Sequence, residues 1–231
     1  MKKTKLIQLV SVFAILIIPS LFYVILTAGE HDIARLSFYG PEGIGESGIG
    51  EGANDSIRYE LDPSIKFQTS TGDSSSFGDL RENILVIHFF CTDCSQESDR
   101  VITQIQELAL KFEDKEDVRF LSITTDAEKD SLEAVADLKK KFRELPSNRI
   151  FALLNQEQAL DLASNHLLMN LYGEIQNPFY TNTVVVVDKE GRLRAFEDGV
   201  QYLNKGAIDD AIEALRFAYF RNEQMTKNGK Q

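Results

Sequence analysis

Cys91 and Cys94 are the only cysteines in this chain of 231 residues. They close the stretch ILVIHFFCTDC, residues 84–94. Two thiols three positions apart admit three chemistries: exchange with a disulfide, capture of a soft metal ion such as Cu(I), or an inert structural bridge. The thiolate is the reactive form, and it is favoured where unpaired backbone N–H groups and the positive end of a helix dipole meet the sulfur. The segment that follows, SQESDRVITQIQELALKF (95–112), places Val101, Ile105, Leu108 and Phe112 at helical spacing, so the pair is expected at a helix N-terminus. A turn entering a helix can bring two such Cα atoms within the roughly 4.4–6.8 Å that a disulfide needs. That bridge would close a very short loop and stabilise little, which weakens the inert reading. Asp93, Glu97 and Asp99 crowd the same turn. Their charge opposes thiolate formation, so the thiols are expected to be less acidic than those of strongly oxidising enzymes.

The elements that must position the pair are readable from periodicity. ILVIHFF (84–90) is a nearly continuous apolar run, as expected of a strand buried on both faces. Before it, IRYEL (57–61) and IKFQT (65–69) alternate as short strands, with turns at Asp62-Pro63 and Thr71-Gly72-Asp73. After it come a strand at 118–124, a polar helix at 127–143, a strand at 149–154 and a helix at 157–172. A hairpin across Asp188–Gly191 joins TVVVVD to GRLRAFE, and an amphipathic helix at 205–222 closes the domain. This order predicts an α/β fold, a thioredoxin-like mixed sheet with helices on both faces. The cysteines then sit at the carboxyl end of a central strand, where open α/β sheets bind ligands.

The N-terminus sets the expected compartment. After the basic stub 1–5 come 23 residues without a charge, 6–28. As a helix they would span about 34 Å, enough for a single transmembrane anchor. Lys2, Lys3 and Lys5 precede the run and Glu30 and Asp32 follow it, which orients the N-terminus to the cytoplasm and the domain outward, to the periplasm of a double-membraned cell. An uncleaved anchor is preferred over a signal peptide. The run is longer than a usual signal core, and Leu26 would occupy the −3 place before Ala28. Residues 29–56, with GPEGIGESGIGEGANDS, read as a flexible Gly-rich acidic tether. The folded domain is expected at 57–222 and a tail at 223–231. The formal net charge of −11 argues against a nucleic-acid partner. No Ser-His-Asp set and no phosphate loop can be assigned.

With these residues laid out, the chain resembles the SCO/SenC family, the membrane-anchored copper chaperones of cytochrome c oxidase assembly. The resemblance runs through the N-terminal anchor, FYGP (38–41), DLRENILVIHFFCTDC (79–94) and TVVVVDKEGRL (183–193). It implies a metal site of Cys-x-x-x-Cys-Pro plus a histidine before the late hairpin. In ungapped register Cys94 takes the first cysteine place, Ser98 the second and Asp99 the proline, while Tyr180 falls on the histidine. One ligand of three survives, and Cys91 is extra. In a thioredoxin register Cys91 is the exposed nucleophile and Cys94 the resolving thiol. The proline such enzymes carry before the late strand is then replaced by Asn182 or Thr183, Pro178 lying too early. His31 falls on the tether, His88 inside a strand as a buried and satisfied side chain, and His166 on a helix surface. None is expected to complete a copper site.

The expected function is therefore thiol–disulfide exchange through Cys91 and Cys94 on an exported partner, which by resemblance is a cytochrome oxidase subunit or another assembly target. No resident cofactor is expected. Two alternatives stay open: a copper chaperone with a rearranged Cu(I) site at Cys91 and Cys94, and a non-enzymatic docking module in respiratory complex assembly.

Overall fold

The computed structural model describes Ile17 and residues 36–45, 59–90, 96–125, 140, 142, 145–175, 181–200 and 202–228. The chain divides into a unit Met1–Arg35 and a compact unit Leu36–Gln231. The expected anchor, 6–28, lies outside the described residues except for Ile17. Among the described residues no helix is long and apolar enough to cross a membrane. The helix expected at 127–143 also falls outside them, apart from Lys140 and Phe142.

Nine strands form one mixed sheet. They are β1 (Phe38–Gly40), β2 (Gly43–Gly45), β3 (Lys66–Thr69), β4 (Ser74–Ser76), β5 (Ile84–Phe90), β6 (Val118–Thr124), β7 (Arg149–Leu153), β8 (Thr183–Val187) and β9 (Leu193–Asp198). Their order across the sheet is β2-β1-β9-β8-β5-β6-β7-β3-β4. Strands β5, β6 and β7 run parallel, and β8 and β9 antiparallel to their neighbours. Helix α1 (Gln96–Lys111) follows β5, and α4 (Tyr202–Asn228) ends the described chain. Between β7 and β8 lie α2 (Gln156–Asp161), a π turn (Leu162–His166) and α3 (Met169–Tyr172).

The central strand β5 shows why its run is apolar throughout. Ile84 and Val86 pack beneath α1 and α4 with Val101, Ile105, Ile208 and Ile212. Leu85, Ile87 and Phe89 point to the other face, against Leu162, Leu167 and Met169. A sheet covered on both faces removes the polar half of the usual strand alternation. The thioredoxin-like architecture read from the sequence is the one observed.

Four local readings change. Residues 57–61 do not make the expected strand; in their described part Glu60 contributes only an isolated bridge to Arg192. The partner of β3 is instead β4, SSS, paired as Phe67↔Ser75. Part of the expected tether is folded: β1 and β2 form a hairpin joined to β9 through Tyr39↔Leu193. Its reason is nonlocal, because Tyr39 packs edge-on against Tyr172 and Phe196 with ring centroids about 5 Å apart. The helix expected at 157–172 is broken. Tyr59 donates its hydroxyl to the Asn165 and His166 carbonyls, and Leu168 turns left-handed at φ 52°. The last helix runs longer than expected, through Asn228.

The hairpin is held by a buried charge cluster. Asp188 accepts hydrogen bonds from Arg192 Nε and Arg194 Nη1, each at 2.9 Å, and from the backbone N–H of Glu190 and of Arg192. Arg194 in turn donates to the carbonyls of Leu36 and Ser37 at 2.8 and 3.1 Å. Its guanidinium also lies over the Phe38 ring, 4.0 Å from the centroid. Burial holds the Arg194 guanidinium below its ordinary range, against the pull of Asp188.

Candidate thiol site

Cys91 and Cys94 lie outside the described residues, as do Tyr180 and His31. The described elements fix what brackets the pair. Strand β5 ends at Phe90, one residue before Cys91, and α1 begins at Gln96, two residues after Cys94. Phe90 is buried, with Phe151 and Ile102 around it. Its carbonyl accepts from the Thr125 N–H at 2.9 Å, so β5 is held to its last residue. Continuing the register of His88↔Val184 sets Thr183 level with Phe89. Thr183 is committed locally: its N–H donates to Thr181 Oγ1 and its Oγ1 accepts from the Glu174 N–H, both at 3.0 Å. Asp99 is exposed, and its carbonyl accepts from the Thr103 hydroxyl at 2.7 Å.

Beneath this strand end runs a chain of buried polar groups. His88 is fully buried and faces the α1 side, as Val86 and Phe90 do. Its Nε2 lies 2.6 Å from Ser122 Oγ, across the β5–β6 pairing His88↔Ser122. Ser122 Oγ accepts from Arg149 Nε at 3.3 Å, and Arg149 Nη1 donates to Gln106 Oε1 on α1. The Arg149 guanidinium sits over the rings of Phe151 and Phe142, 4.6 and 5.0 Å from their centroids. The network therefore ties β5, β6 and β7 to α1, the strand and the helix that flank the cysteines.

Its electrostatics are unusual. Among the described residues no carboxylate pairs with Arg149, and its Nη2 and His88 Nδ1 have no hydrogen-bond partner. Burial pushes the Arg149 guanidinium down to about 9, so it stays charged at neutral pH. Burial first, and the Arg149 charge second, push His88 down to about 3, so the imidazole stays neutral. The result is a buried cation with no carboxylate partner among the described residues, steadied by two aromatic faces. The sequence reading did not single out Arg149, Ser122 or Gln106. The available signal was the arginine opening an otherwise apolar strand, RIFAL.

Two of the three histidines are described, and His88 is only half satisfied, since its Nδ1 has no hydrogen-bond partner. His88 is sealed in its strand and bonded to Ser122. His166 ends the π turn with its Nε2 3.5 Å from Asp161 Oδ2. Among the described residues no group of three His, Cys, Asp or Glu side chains could hold a metal ion.

Comparison with known proteins places the fold. No curated protein matches the chain in sequence. Among solved structures, a SCO1/SenC family lipoprotein from Bacillus anthracis is 18% identical, with a TM-score of 0.59 over 68% of this chain and 95% of that one. BsSco, described as a Sco family member with a disulfide switch, is 19% identical with a TM-score of 0.58 over 68% and 94%. The copper-bound ScoI of Arabidopsis thaliana is 14% identical with a TM-score of 0.52 over 68% and 98%. This chain is thus similar in fold to the very family its motifs resemble. The AhpC/TSA family model matches residues 61–196, which include β5, the cysteine pair and the late hairpin, and the chain belongs to that family.

Proposed function

We propose that the chain is a membrane-anchored, Sco-like thiol–disulfide exchange protein, acting outside the cytoplasmic membrane on an exported partner through Cys91 and Cys94. One observation carries the reading. The two cysteines occupy the short connection between the end of β5 and the start of α1, in a fold shared with a protein described by its disulfide switch. That neighbour is also described as a cytochrome c oxidase assembly protein, which supports an oxidase subunit as the partner.

In this mechanism the Cys91 thiolate attacks one sulfur of a partner disulfide. A mixed disulfide forms, and one partner thiolate leaves and takes a proton. The Cys94 thiolate then attacks the Cys91 sulfur, forming the Cys91–Cys94 disulfide and releasing the second partner thiol. The partner gains two electrons and the chain loses two; the reverse sequence oxidises a partner dithiol. Asp93, Glu97 and Asp99, next to the pair in sequence, oppose the thiolate by their charge.

Equilibrating residues 36–231 across glutathione buffers, alkylating the free thiols and weighing the product tests the reading. The expected outcome is one two-electron transition between two free thiols and an internal Cys91–Cys94 disulfide, lost in Cys91→Ser. Absence of an internal disulfide at every potential refutes it. Copper delivery is the second reading, favoured by the copper-bound neighbour and by the affinity of paired thiolates for Cu(I). It requires 1:1 Cu(I) binding that Cys94→Ala abolishes, with a further ligand from outside His88 and His166.

A further inference from the structure

Helix α4 is longer than the sheet needs. Ile208, Ala211, Ile212, Ala214 and Leu215 bury against the domain. Beyond Leu215 none of the described side chains is buried, yet the helix continues to Asn228, roughly 20 Å further. This extension exposes Phe217 by 46%, Phe220 by 60% and Met225 by 53%. Arg221 and Lys227 are interleaved with them, exposed, and make no ion pair among the described residues. At helical spacing these five residues share one face about 160° wide, opposite the face that carries Ile208, Ile212 and Leu215.

The charge is sorted to this end against the trend of the chain. Residues 216–231 hold Arg216, Arg221, Lys227 and Lys230 against Glu223 alone, whereas residues 29–215 hold 18 basic and 35 acidic side chains. An exposed aromatic and methionine face set among cations has the chemistry of an interfacial helix. Its apolar side chains enter the acyl boundary while its cations meet anionic headgroups. A second copy fits worse, because pairing two such faces would set like charges together. We infer that the 216–228 face of α4 docks on an anionic phospholipid surface. This rests on the reading of the chain as membrane-anchored, and it would hold the domain down on the bilayer rather than free on its tether.

The test uses the full chain in nanodiscs. The sequence has no tryptophan, so Phe220→Trp adds the chain's one indole, read as the difference from discs carrying the parent chain. Nanodiscs are made with brominated acyl chains, either of phosphatidylcholine alone or with phosphatidylglycerol. The expected result is indole quenching in the anionic discs. It should fall several-fold in phosphatidylcholine alone, with Arg221→Glu/Lys227→Glu, or near 1 M salt, where the screening length is about 3 Å. Unquenched emission in every disc overturns the proposal. So does equal quenching with and without anionic lipid, or a concentration-dependent emission shift without quenching, which would mark self-association. Retention of the charge-reversed variant in the bilayer reads the anchor separately. If it stays but loses quenching, residues 6–28 anchor and α4 docks; if it leaves, α4 was the attachment and the anchor reading falls.

Discussion

His88 makes the domain sensitive to acid in a way that one substitution should remove. The imidazole is fully buried, bonded to Ser122 and close enough to the Arg149 charge to feel it, and it titrates at about 3 rather than near 6.5. In the unfolded chain it binds a proton below about 6.5. The sign follows: between 6.5 and 3 the unfolded state holds more protons than the folded one, so stability is lost as pH falls. At pH 4 the lag amounts to about 2.5 pH units of unfolded-state protonation, or roughly 3 kcal/mol relative to neutrality. His88→Gln keeps an amide within reach of Ser122 and removes the titration. Urea unfolding of residues 36–231 at pH 7 and pH 4 reads the difference. The parent should lose about 3 kcal/mol more than the variant. Carboxylate contributions are common to both proteins and cancel in the comparison. Parallel losses would show that the imidazole is hydrated or charged in the fold, and the account of the buried network would fail.

Three other outcomes follow from the same packing. Arg149→Met should hold stability at pH 7 within about 1 kcal/mol of the parent or raise it, whereas Arg149→Ala should cost about 2–4 kcal/mol; equal losses in both would refute the idea of an uncompensated cation. Asp188→Asn leaves Arg194 buried without its counter-charge and should cost about 3–5 kcal/mol, with faster amide exchange at residues 36–40. Gly191 has φ 83° and a Cβ there would come within 2.5 Å of the Arg81 guanidinium, so Gly191→Ala should lose at least about 1–2 kcal/mol in a denaturant titration.

Much of the architecture was legible because the strongest signals were local. ILVIHFF marks a strand buried on both faces, and the hairpin at Asp188–Gly191 is a turn with a glycine at positive φ. The strand that ends before the cysteines and the helix that begins after them were legible for the same reason. What escaped reading depends on distant partners. Three serines carry no apolar alternation, and β4 exists only because β3 offers it an edge. The glycines around Ile44 suggested coil, while their hairpin is fixed by Tyr172, Phe196 and Arg194 from elsewhere in the chain. The periodicity of EQALDLASNHLLMNLY fits one helix, and nothing local announces that Tyr59 will take two of its carbonyls. An arginine at the start of a strand reads as a solvated end, so the polar network below the end of β5 was invisible until Ser122, Gln106 and two phenylalanines closed around Arg149.

The grip of Arg194 on Leu36 and Ser37 has a mechanical meaning. A tug arriving along the chain at residue 36 is met first by two guanidinium hydrogen bonds and by the pairing of β1 with its neighbours. Strand β1 is separated from β5 by β9 and β8, so the strand that delivers the cysteines is not first in the line of force. The Asp188 cluster thus works as a strain relief, the clamp that keeps a pull on a cable from reaching its contacts.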